Sequence, residues 1–443
     1  MAISANTVLE CRQGGSDTNG GGFVTGASGT DWSLQDSAQY SVTDGVTNAT
    51  TTITSATAAF GTDVVGNLVY VQGGTGAVVA AWYQIISRTS ATAIVVDRTN
   101  GLTAGTGVTL HIGGAFATPG QMAAVIAVSG MKGWLKYNAT PYSLTTATVG
   151  AAGPAKIGVA NLNASIEGYE ATRGDRTANR PVVQWNTAPG SLTYAFVHNA
   201  GGTVLQEFIN IKVDGNSQAN AGGFDVGNLR CGAVDCVAIN CNQAGAIGFL
   251  TTGNAGLVRC FATACTTGFS GAGQAAYCVA DSCTLGFSNL TALFKCLMTA
   301  CVQGCAASSA LWACCTADSC TTAGYNMSND NTAVNCLATN CSGGSAKGFT
   351  VTAQSKLLNC AVYNNTTHVS GTPWANVGLI TLSADPYANQ AGGDFSPNNT
   401  AGGGAAVRAD GIGCYGQTTN EDIGAVQHAD PAAGGATVFT GEF

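Results

Sequence analysis

The chain has 443 residues, of which only 9% are charged, and its net charge at pH 7 is −8. Its 16 Lys and Arg residues are spread over the whole length and form no basic patch that could neutralise phosphates, which argues against nucleic acid as a partner. Apolar stretches such as 76–86 are short and interrupted, so we expect no membrane insertion. The first residues lack the basic and apolar regions of a secretory signal, so we expect synthesis in the cytoplasm without a signal peptide.

The first part of the chain predicts three segments in order. Residues 1–30 are Gly-rich and weakly patterned, which is typical of an extended N-terminal arm. Residues 31–116 contain short apolar strands separated by Gly and Thr turns, which predicts a small β domain used for attachment. Residues 121–128 form the one predicted helix, and we expect it to cover the open edge of the structure that follows.

A short motif then recurs along the chain: a Cys, a mostly apolar residue, three small or polar residues and a second Cys, usually followed by a polar run that ends in a Gly-aromatic pair. The first Cys of successive copies is separated by steps of 24, 18, 18, 19, 21 and 24 residues. A constant motif with variable gaps near twenty residues indicates a solenoid in which each unit stacks on the next. The copies are CVAINC (236–241), CFATAC (260–265), CVADSC (278–283), CLMTAC (296–301), CTADSC (315–320), CLATNC (336–341) and CAVYNN (360–365).

The alternation within a copy identifies the type of solenoid. Val258, Cys260 and Ala262 would face one side of a strand, and the residues between them the other. About twenty residues supply three short strands and three turns, which make one coil of a parallel β-helix rising about 4.8 Å. The predicted fold is therefore all-β. Residues 117–372 form a parallel β-helix with a Cys ladder from about 231, and residues 373–443 close its C-terminal end.

Stacking of the coils predicts two files of side chains. The first Cys of each copy forms an interior file, and the second Cys forms a file at a turn, with Asn365 in the last place. The first file is Cys236, Cys260, Cys278, Cys296, Cys315, Cys336 and Cys360. The second file is Cys241, Cys265, Cys283, Cys301, Cys320, Cys341 and Asn365.

Three interpretations of these cysteines are open. The spacing lacks the short Cys pairs of a zinc site, so we expect no metal and no cofactor. Coil spacing falls within the Cα range of a disulfide, but parallel Cβ directions give poor bridging geometry. We favour free thiols that act as small buried apolar side chains.

Five segments of the chain carry a family resemblance: 63–116, 166–183, 357–365, 385–411 and 421–427. They resemble segments of pectate-lyase-like right-handed parallel β-helix proteins, including phage tailspike and virion fibre proteins. The resemblance covers most of the chain, and its motifs are architectural. It implies a right-handed coil on a virion surface, synthesised in the host cytoplasm. It further implies a homotrimer that contacts other virion proteins through residues 1–116 and that binds or cuts a cell-surface glycan.

Paired carboxylates are the candidate catalytic groups. Asp281 and Asp318 occupy the same place in their copies, would point outward, and lie two coils apart with Thr299 between them. Their backbones would be about 9–10 Å apart. This approaches the separation of about 6.5–9.5 Å between the carboxyl groups of an inverting glycoside hydrolase. Solvated surface carboxylates are the simpler interpretation.

A second acidic set lies on the early coils: Glu167, Glu170, Asp175 and Asp214. We expect Glu170 and Asp175 to form a surface ion-pair cluster with Arg173 and Arg176 in a turn. The four His residues (111, 198, 368 and 428) are dispersed and indicate neither a metal site nor a catalytic triad.

Aromatic side chains are the candidate sugar-binding residues, with packing inside the coils as the equally good alternative. They are Trp134, Tyr137, Trp185, Tyr194 and Trp374.

Three hypotheses follow for the function. The first is a virion tailspike or fibre that binds host polysaccharide. The second is a glycan depolymerase that uses Asp281 and Asp318 on the same scaffold. The third is a purely structural capsid decoration or filament subunit.

Overall fold

A computed structural model describes residues 3–76, 78–99, 103–145, 149–150, 153–154, 157–159, 162–198, 205–227, 231–307, 310–408, 410–411 and 422–427. His428 and much of the expected C-terminal closure lie outside these residues. The chain divides into a first unit (1–187 and 195–212) and a second unit (188–194 and 213–443), which are described separately. The described part of the chain has no helix that is long and apolar enough to cross a membrane.

The first unit is built almost entirely from strands, with one short α-helix, α1 (Pro119–Val125), and a 3-10 helix (Thr62–Val64). Its strands are β1 (Thr7–Cys11), β2 (Gly22–Val24), β3 (Tyr40–Asn48), β4 (Thr52–Thr54), β5 (Leu68–Gln72), β6 (Ala81–Ser90), β7 (Ala93–Val96), β8 (Ala104–Ile112), β9 (Lys132–Lys136), β10 (Tyr142–Leu144), β11 (Val149–Gly150), β12 (Gly153–Pro154), β13 (Ile157–Val159), β14 (Ala164–Tyr169), β15 (Val182–Trp185), β16 (Thr193–His198) and β17 (Gln206–Ile209).

Strands β3 to β8 form a closed barrel in the order β3-β4-β7-β6-β5-β8. Alternate residues of these strands face its interior, as the burial of Tyr83 and Ile85 in β6 shows. Trp32 and Phe60 belong to the same apolar core although they precede or link the strands. The barrel lies within residues 31–116, where the sequence predicts a small β domain.

Residues 1–30 do not form the extended arm that their Gly content suggests. Strand β1 pairs in parallel with β9, with Leu9 opposite Gly133, and β9 pairs in parallel with β14. Leu9 and Cys11 are fully buried. Period-two burial of these apolar residues therefore makes β1 part of the same sheet as the first coils.

Helix α1 begins two residues earlier and ends three residues earlier than the predicted range 121–128. The Thr118 hydroxyl accepts a hydrogen bond from the backbone N–H of Gln121 at 3.2 Å, and Pro119 occupies the first turn, where its missing N–H costs no hydrogen bond. The helix packs against β1, β9, β11 and β13.

The second unit contains the repeated coils and ends in two short hairpin strands, with 3-10 helices at Gln390–Gly392 and Gly404–Ala406. Its strands are β18 (Lys212–Asp214), β19 (Ala221–Val226), β20 (Cys231–Val234), β21 (Val237–Ile239), β22 (Ile247–Thr251), β23 (Gly256–Val258), β24 (Phe261–Thr263), β25 (Thr267–Gly271), β26 (Gln274–Ala276), β27 (Val279–Asp281), β28 (Leu285–Ser288), β29 (Ala292–Phe294), β30 (Leu297–Thr299), β31 (Gln303–Ala307), β32 (Leu311–Ala313), β33 (Thr316–Asp318), β34 (Ala323–Met327), β35 (Thr332–Val334), β36 (Leu337–Thr339), β37 (Lys347–Thr350), β38 (Lys356–Leu358), β39 (Ala361–Tyr363), β40 (Thr367–Ser370), β41 (Ala375–Val377), β42 (Ile380–Thr381), β43 (Tyr387–Asn389) and β44 (Asp394–Pro397).

The chain visits three sheets in turn, and each strand pairs in parallel with the strand of the same sheet one coil later. In this unit, sheet 1 holds β20, β23, β26, β29, β32, β35, β38 and β41. Sheet 2 holds β18, β21, β24, β27, β30, β33, β36, β39 and β42. Sheet 3 holds β19, β22, β25, β28, β31, β34, β37 and β40. This arrangement confirms the predicted parallel β-helix.

A single residue in the left-handed backbone conformation precedes each Cys of both files. The φ angles of these residues lie between 48° and 56°, and they turn the chain sharply from one sheet to the next. The conformation costs about 1–2 kcal/mol for most L-residues and less for Asn. These corner residues are Asp235, Arg259, Tyr277, Lys295, Cys314, Asn335 and Asn359 at the first corner, and Asn240, Ala264, Ser282, Ala300, Ser319, Asn340 and Asn364 at the second.

The interior beneath sheet 3 is a stack of aromatic rings that the sequence analysis did not single out. Phe249, Phe269 and Phe287 occupy equivalent positions, and their ring centroids are 4.9 and 4.6 Å apart. The Gly before each ring is required, because a Cβ at Gly268 would lie 2.8 Å from the carbonyl oxygen of Gly286. This explains the Gly-aromatic pair in the repeat.

The sequence predicts that the C-terminal residues cover the last coil. The described ones do not. They pack instead along the outer face of sheet 2, on the outward side chains of Leu297, Leu337 and Ala361. Leu382 and Ile423 are buried in this contact. The outward apolar row of sheet 2 is therefore the surface that the described C-terminal residues bury.

Candidate functional site

Asp281 and Asp318 lie in one outward row of sheet 2. Asp281 is opposite Thr299, and Thr299 is opposite Asp318, so the two carboxylates are two coils apart as predicted. Asp281 is half-buried and accepts a hydrogen bond from the Thr263 hydroxyl at 3.0 Å. Of the two carboxylates, Asp281 is the one that retains solvent contact.

Asp318 is 1% exposed, because the C-terminal segment covers it. Its carboxylate accepts hydrogen bonds from the hydroxyls of Thr339 (2.6 Å) and Ser319 (2.7 Å) and from the side-chain amides of Asn340 (2.9 Å) and Gln390 (2.6 Å). These four donors saturate the carboxylate. The expected solvated pair is therefore absent from the described structure: Asp318 holds the C-terminal segment in place and has no open side for a sugar or a water nucleophile.

Three of the predicted sugar-binding aromatics are buried. Trp185 is fully enclosed inside the coil. Tyr194 faces inward against Gly222, and burial raises the pKa of its hydroxyl. Trp134 is on the outer face of the first unit but is 8% exposed. These residues pack, as the alternative interpretation held, and cannot offer a ring face to a sugar from solution. Tyr137 is half-buried at the end of β9.

Trp374 is the exception. It is 70% exposed at the corner between sheets 3 and 1 of the last coil. Its backbone N–H donates to the carbonyl of Ser355 at 2.9 Å, which fixes the corner, and Lys356 Nζ lies 4.9 Å from its ring centroid. One ring face is thus held by a cation, and a rigid backbone presents the side chain to solvent.

The thiols of both files are buried and stacked as predicted, and none of the 17 described cysteines is in a disulfide. Most of these thiols donate across the corner to the carbonyl two residues earlier, as Cys260 does to Val258 at 3.5 Å and Cys341 to Thr339 at 3.4 Å, and Cys301 donates to Ala280 O of the preceding coil at 3.5 Å. Asn365 continues the second file, accepting from the Cys341 N–H at 2.9 Å and donating to Ala338 O at 2.9 Å. Asn365 therefore keeps the place of the second Cys but donates to the preceding coil instead of across its own corner.

Burial raises the pKa of some of these thiols. Removal from water raises the pKa of Cys278, Cys315 and Cys360 well above the ordinary thiol value. Because metal ions bind the thiolate, thiols whose pKa is raised in this way are poor ligands. Among the described residues, no group of three His, Cys, Asp or Glu side chains is arranged to hold a metal ion.

The early acidic residues form a different arrangement from the surface cluster expected in the turn. Asp175 accepts hydrogen bonds from the backbone N–H groups of Glu170, Ala171 and Thr172, so it shapes the turn. Asp214, also in the acidic set, accepts from the N–H of Asn216 at 2.8 Å. Both carboxylates are thus engaged by backbone N–H groups of their own turns.

The two arginines of this turn reach other carboxylates. Arg173 pairs with Glu10 (2.8 Å) and with Asp31 (2.9 Å), and Arg176 pairs with Glu167 (3.1 Å). The Glu10 side chain is fully buried, and this burial raises its pKa, although Arg173 opposes the change. The pairing joins three distant segments of the first unit and buries the carboxylates away from any substrate.

The open polar surface of the second unit is the outer face of sheet 3. One outward row runs through Ser270, Ser288, Asn326, Thr350 and Ser370, with Ala306 in the third place, and all of these residues are half-exposed. Strand spacing sets successive positions of this row about 4.8 Å apart. We call these five polar residues the hydroxyl row. It offers hydrogen-bond donors and acceptors without a formal charge on a flat, rigid surface.

No protein-family profile matches the sequence, and no characterised protein matches it. Among solved structures, the chain is similar to the A-module of a mannuronan C-5 epimerase from Azotobacter vinelandii (13% identity, 56% of this chain and 82% of the other, TM-score 0.36). It is similar also to ORF18 of Geobacillus virus E2 (9% identity, 57% and 53%, TM-score 0.34). A third similarity is to the catalytic domain of a GH87 alpha-1,3-glucanase in complex with nigerose (9% identity, 82% and 93%, TM-score 0.29). All three TM-scores are below 0.5, and strand pairing within the chain itself establishes the parallel β-helix.

Proposed function

We propose that this chain is a tailspike- or fibre-type protein of a phage virion that binds host cell-surface polysaccharide without cleaving it. Residues 1–116 attach it to other virion proteins, and a homotrimer presents three copies of the binding surface. Three weak contacts on one rigid particle then add to a strong attachment, because the later contacts form at high effective concentration.

The hydroxyl row is the observation that carries this proposal. Sugars are recognised by hydroxyl and amide groups that donate and accept hydrogen bonds, and by aromatic rings that stack on the apolar face of the sugar. The hydroxyl row provides the hydrogen-bonding groups on five of six successive coils. Trp374, four residues after Ser370, provides the ring at the end of the same face. The enclosure of Asp318 removes the expected partner of Asp281 and favours binding over hydrolysis.

Binding of purified host capsule or lipopolysaccharide, measured by biolayer interferometry, tests the proposal. We expect Asn326→Leu and Trp374→Ala each to weaken binding at least about tenfold, because each removes a group from the centre or the end of the face. Gln274→Leu, an exposed change on sheet 1, is the matched control and should bind as the wild type does. New reducing ends in the same incubation would instead support a depolymerase. Unchanged binding by Asn326→Leu would refute the hydroxyl row as the site.

A further inference from the structure

Two lysines stand near the C-terminal end of the hydroxyl row without an acidic partner. Between Asp330 and Asp385 the charged residues of the chain are Lys347 and Lys356 alone, although acidic residues outnumber basic ones 24 to 16 over the whole chain. In the described part of the chain neither lysine forms an ion pair. This stretch is therefore locally positive on an acidic protein.

The two lysines lie on either side of the hydroxyl row in a single coil. Lys347 begins β37, three residues before Thr350, so the two residues are about 10 Å apart along the strand. Lys356 begins β38, beyond the corner that follows Thr350. Both lysines are half-buried. A polymer that lies along the hydroxyl row therefore passes between two positive charges.

Trp374 lies beside one of these lysines, one coil later. Lys356 Nζ is 4.9 Å from the centroid of its ring. Pro373 restricts the backbone before the ring, and Gly371 makes the corner at a φ of 98°, where a Cβ would lie 2.2 Å from the carbonyl oxygen of Val351. The ring is thus held by a rigid corner next to a cation and is 70% exposed to solvent.

A second lysine–tryptophan pair shows what distinguishes this one. In the first unit Lys132 Nζ lies 5.5 Å from the centroid of the Trp134 ring, but that ring is buried and cannot contact a ligand. The Trp374 ring is open to solvent instead. A cation–π contact at an exposed site is weak, so an anion that pairs with Lys356 displaces little.

We propose that the C-terminal end of the hydroxyl row binds an anionic polysaccharide. One sugar ring stacks on Trp374, and negative groups of the polymer pair with Lys356 and Lys347. A cation beside an exposed ring matches a sugar that carries a carboxylate or a phosphate, because the two side chains contact the apolar face and the anion together. This inference rests on the proposed glycan-binding function and names the class of glycan.

The other end of the same outward row carries the opposite charge. Past Ser270 the row continues through Leu250 to Asp225. Asp225 is six coils before Thr350, about 29 Å away, which exceeds the Debye length of about 8 Å in physiological salt. An anionic polymer is therefore favoured at the end with the lysines, and we expect the charge-dependent contacts to be confined to the last two coils.

Biolayer interferometry of the full chain with three purified probes tests the inference. Polygalacturonate carries carboxylates, its methyl ester keeps the sugar rings without the charge, and a phosphomannan carries phosphates. We expect at least one anionic probe to bind at least about tenfold more tightly than the methyl ester, and the probe that binds identifies the negative group. This preference should decrease between about 0.1 M and 1 M NaCl, because the Debye length falls from about 10 Å to about 3 Å.

Neutral substitutions locate the site. Lys347→Gln with Lys356→Gln removes both charges and should weaken binding of the anionic probe at least about tenfold, to the level of the methyl ester. Lys132→Gln is the matched control, because it removes the lysine beside the buried Trp134 ring, and it should bind as the wild type does. Equal thermal unfolding of the variants and the wild type shows that the coils are intact.

Three results would overturn the inference: no binding of either anionic probe, equal affinity for the anionic probes and the methyl ester, or unchanged binding by the Lys347→Gln, Lys356→Gln variant. Each of them leaves the proposed function standing if host capsule or lipopolysaccharide still binds and Asn326→Leu still weakens that binding. Failure of the proposed function appears instead as host polysaccharide that does not bind the wild type.

Discussion

The interiors of the two units are stabilised in different ways. In the second unit the coils enclose buried thiols and stacked rings such as Phe249, Phe269 and Phe287. In the first unit the buried set includes Glu10, which is paired with Arg173, and His198, which is stacked on Phe208 at 4.1 Å between ring centroids. The interior of the repeated coils is therefore built from thiols and aromatic rings. The stability of the irregular first coils depends instead on buried ionisable side chains such as Glu10 and His198.

The largest expected effect comes from opening the aromatic stack. Phe269→Ala removes a fully buried ring between two others and should lower the free energy of unfolding by about 3–5 kcal/mol. Phe294→Ala removes a half-buried ring from the outer face of sheet 1 and should cost less than about 2 kcal/mol. Urea denaturation of both variants measures the difference. Equal losses would show that the stack contributes no more than surface packing.

Breaking the buried ion pair of the first unit comes next. Arg173→Ala leaves the Glu10 carboxylate buried with one partner fewer and should cost about 3 kcal/mol. Arg176→Ala removes a half-exposed partner of Glu167 and should cost about 1 kcal/mol or less. Urea denaturation measures the free energy of unfolding of both variants. A smaller loss in Arg173→Ala than in Arg176→Ala would contradict the role given to Arg173.

The two aspartates of the repeated motif offer a matched pair within the second unit. Asp318→Asn replaces an acceptor of four hydrogen bonds by an amide that presents donors to donors, and it should cost about 2 kcal/mol. Asp281→Asn, at the open place of the same row, should change stability by less than about 0.5 kcal/mol. Limited proteolysis after residue 382 should be faster in Asp318→Asn alone. If both variants behave alike, the C-terminal segment is not held by Asp318.

The smallest expected effect is a dependence on pH. Burial lowers the pKa of His198 to about 3, below its ordinary value near 6.5. A lowered histidine pKa contributes stability that is fully present above pH 6.5 and is lost as pH falls towards 3, because only the unfolded chain binds the proton. We expect a loss of about 1.4 kcal/mol by pH 5.5. His198→Phe keeps the stacked ring and should remove this part of the pH dependence. If the free energy of unfolding falls as steeply between pH 7 and 5.5 in this variant as in the wild type, the role given to His198 is wrong.

Much of the second unit follows from the sequence because its contacts are local. Cys260, Cys278 and Cys296 repeat at nearly constant steps, so one-dimensional stacking determines their neighbours. The Gly-aromatic pair was visible in the repeat, and its position after the second Cys could have identified the ring stack. Asn365 likewise falls at the expected place in the repeat, so its position at the end of the second file also follows from the sequence.

The parts that sequence reasoning missed involve contacts over long separations. Asp318 and Gln390 are 72 positions apart, and Glu10 and Arg173 are 163 positions apart. No periodicity links such pairs, and an outward position in a strand does not reveal whether a later segment covers it. Residues 1–30 were missed for a related reason, since β1 finds its partner β9 only after the whole barrel.

Access to the stacked thiols tests the parallel β-helix most directly. The native chain is exposed to iodoacetamide, and labelling of each cysteine is followed by mass spectrometry, with the urea-unfolded chain as reference. We predict that Cys260, Cys278 and Cys296 stay unmodified in the native chain and react fully once it is unfolded. Rapid labelling of these three thiols under native conditions would contradict the coil, its interior files and the surfaces inferred from it.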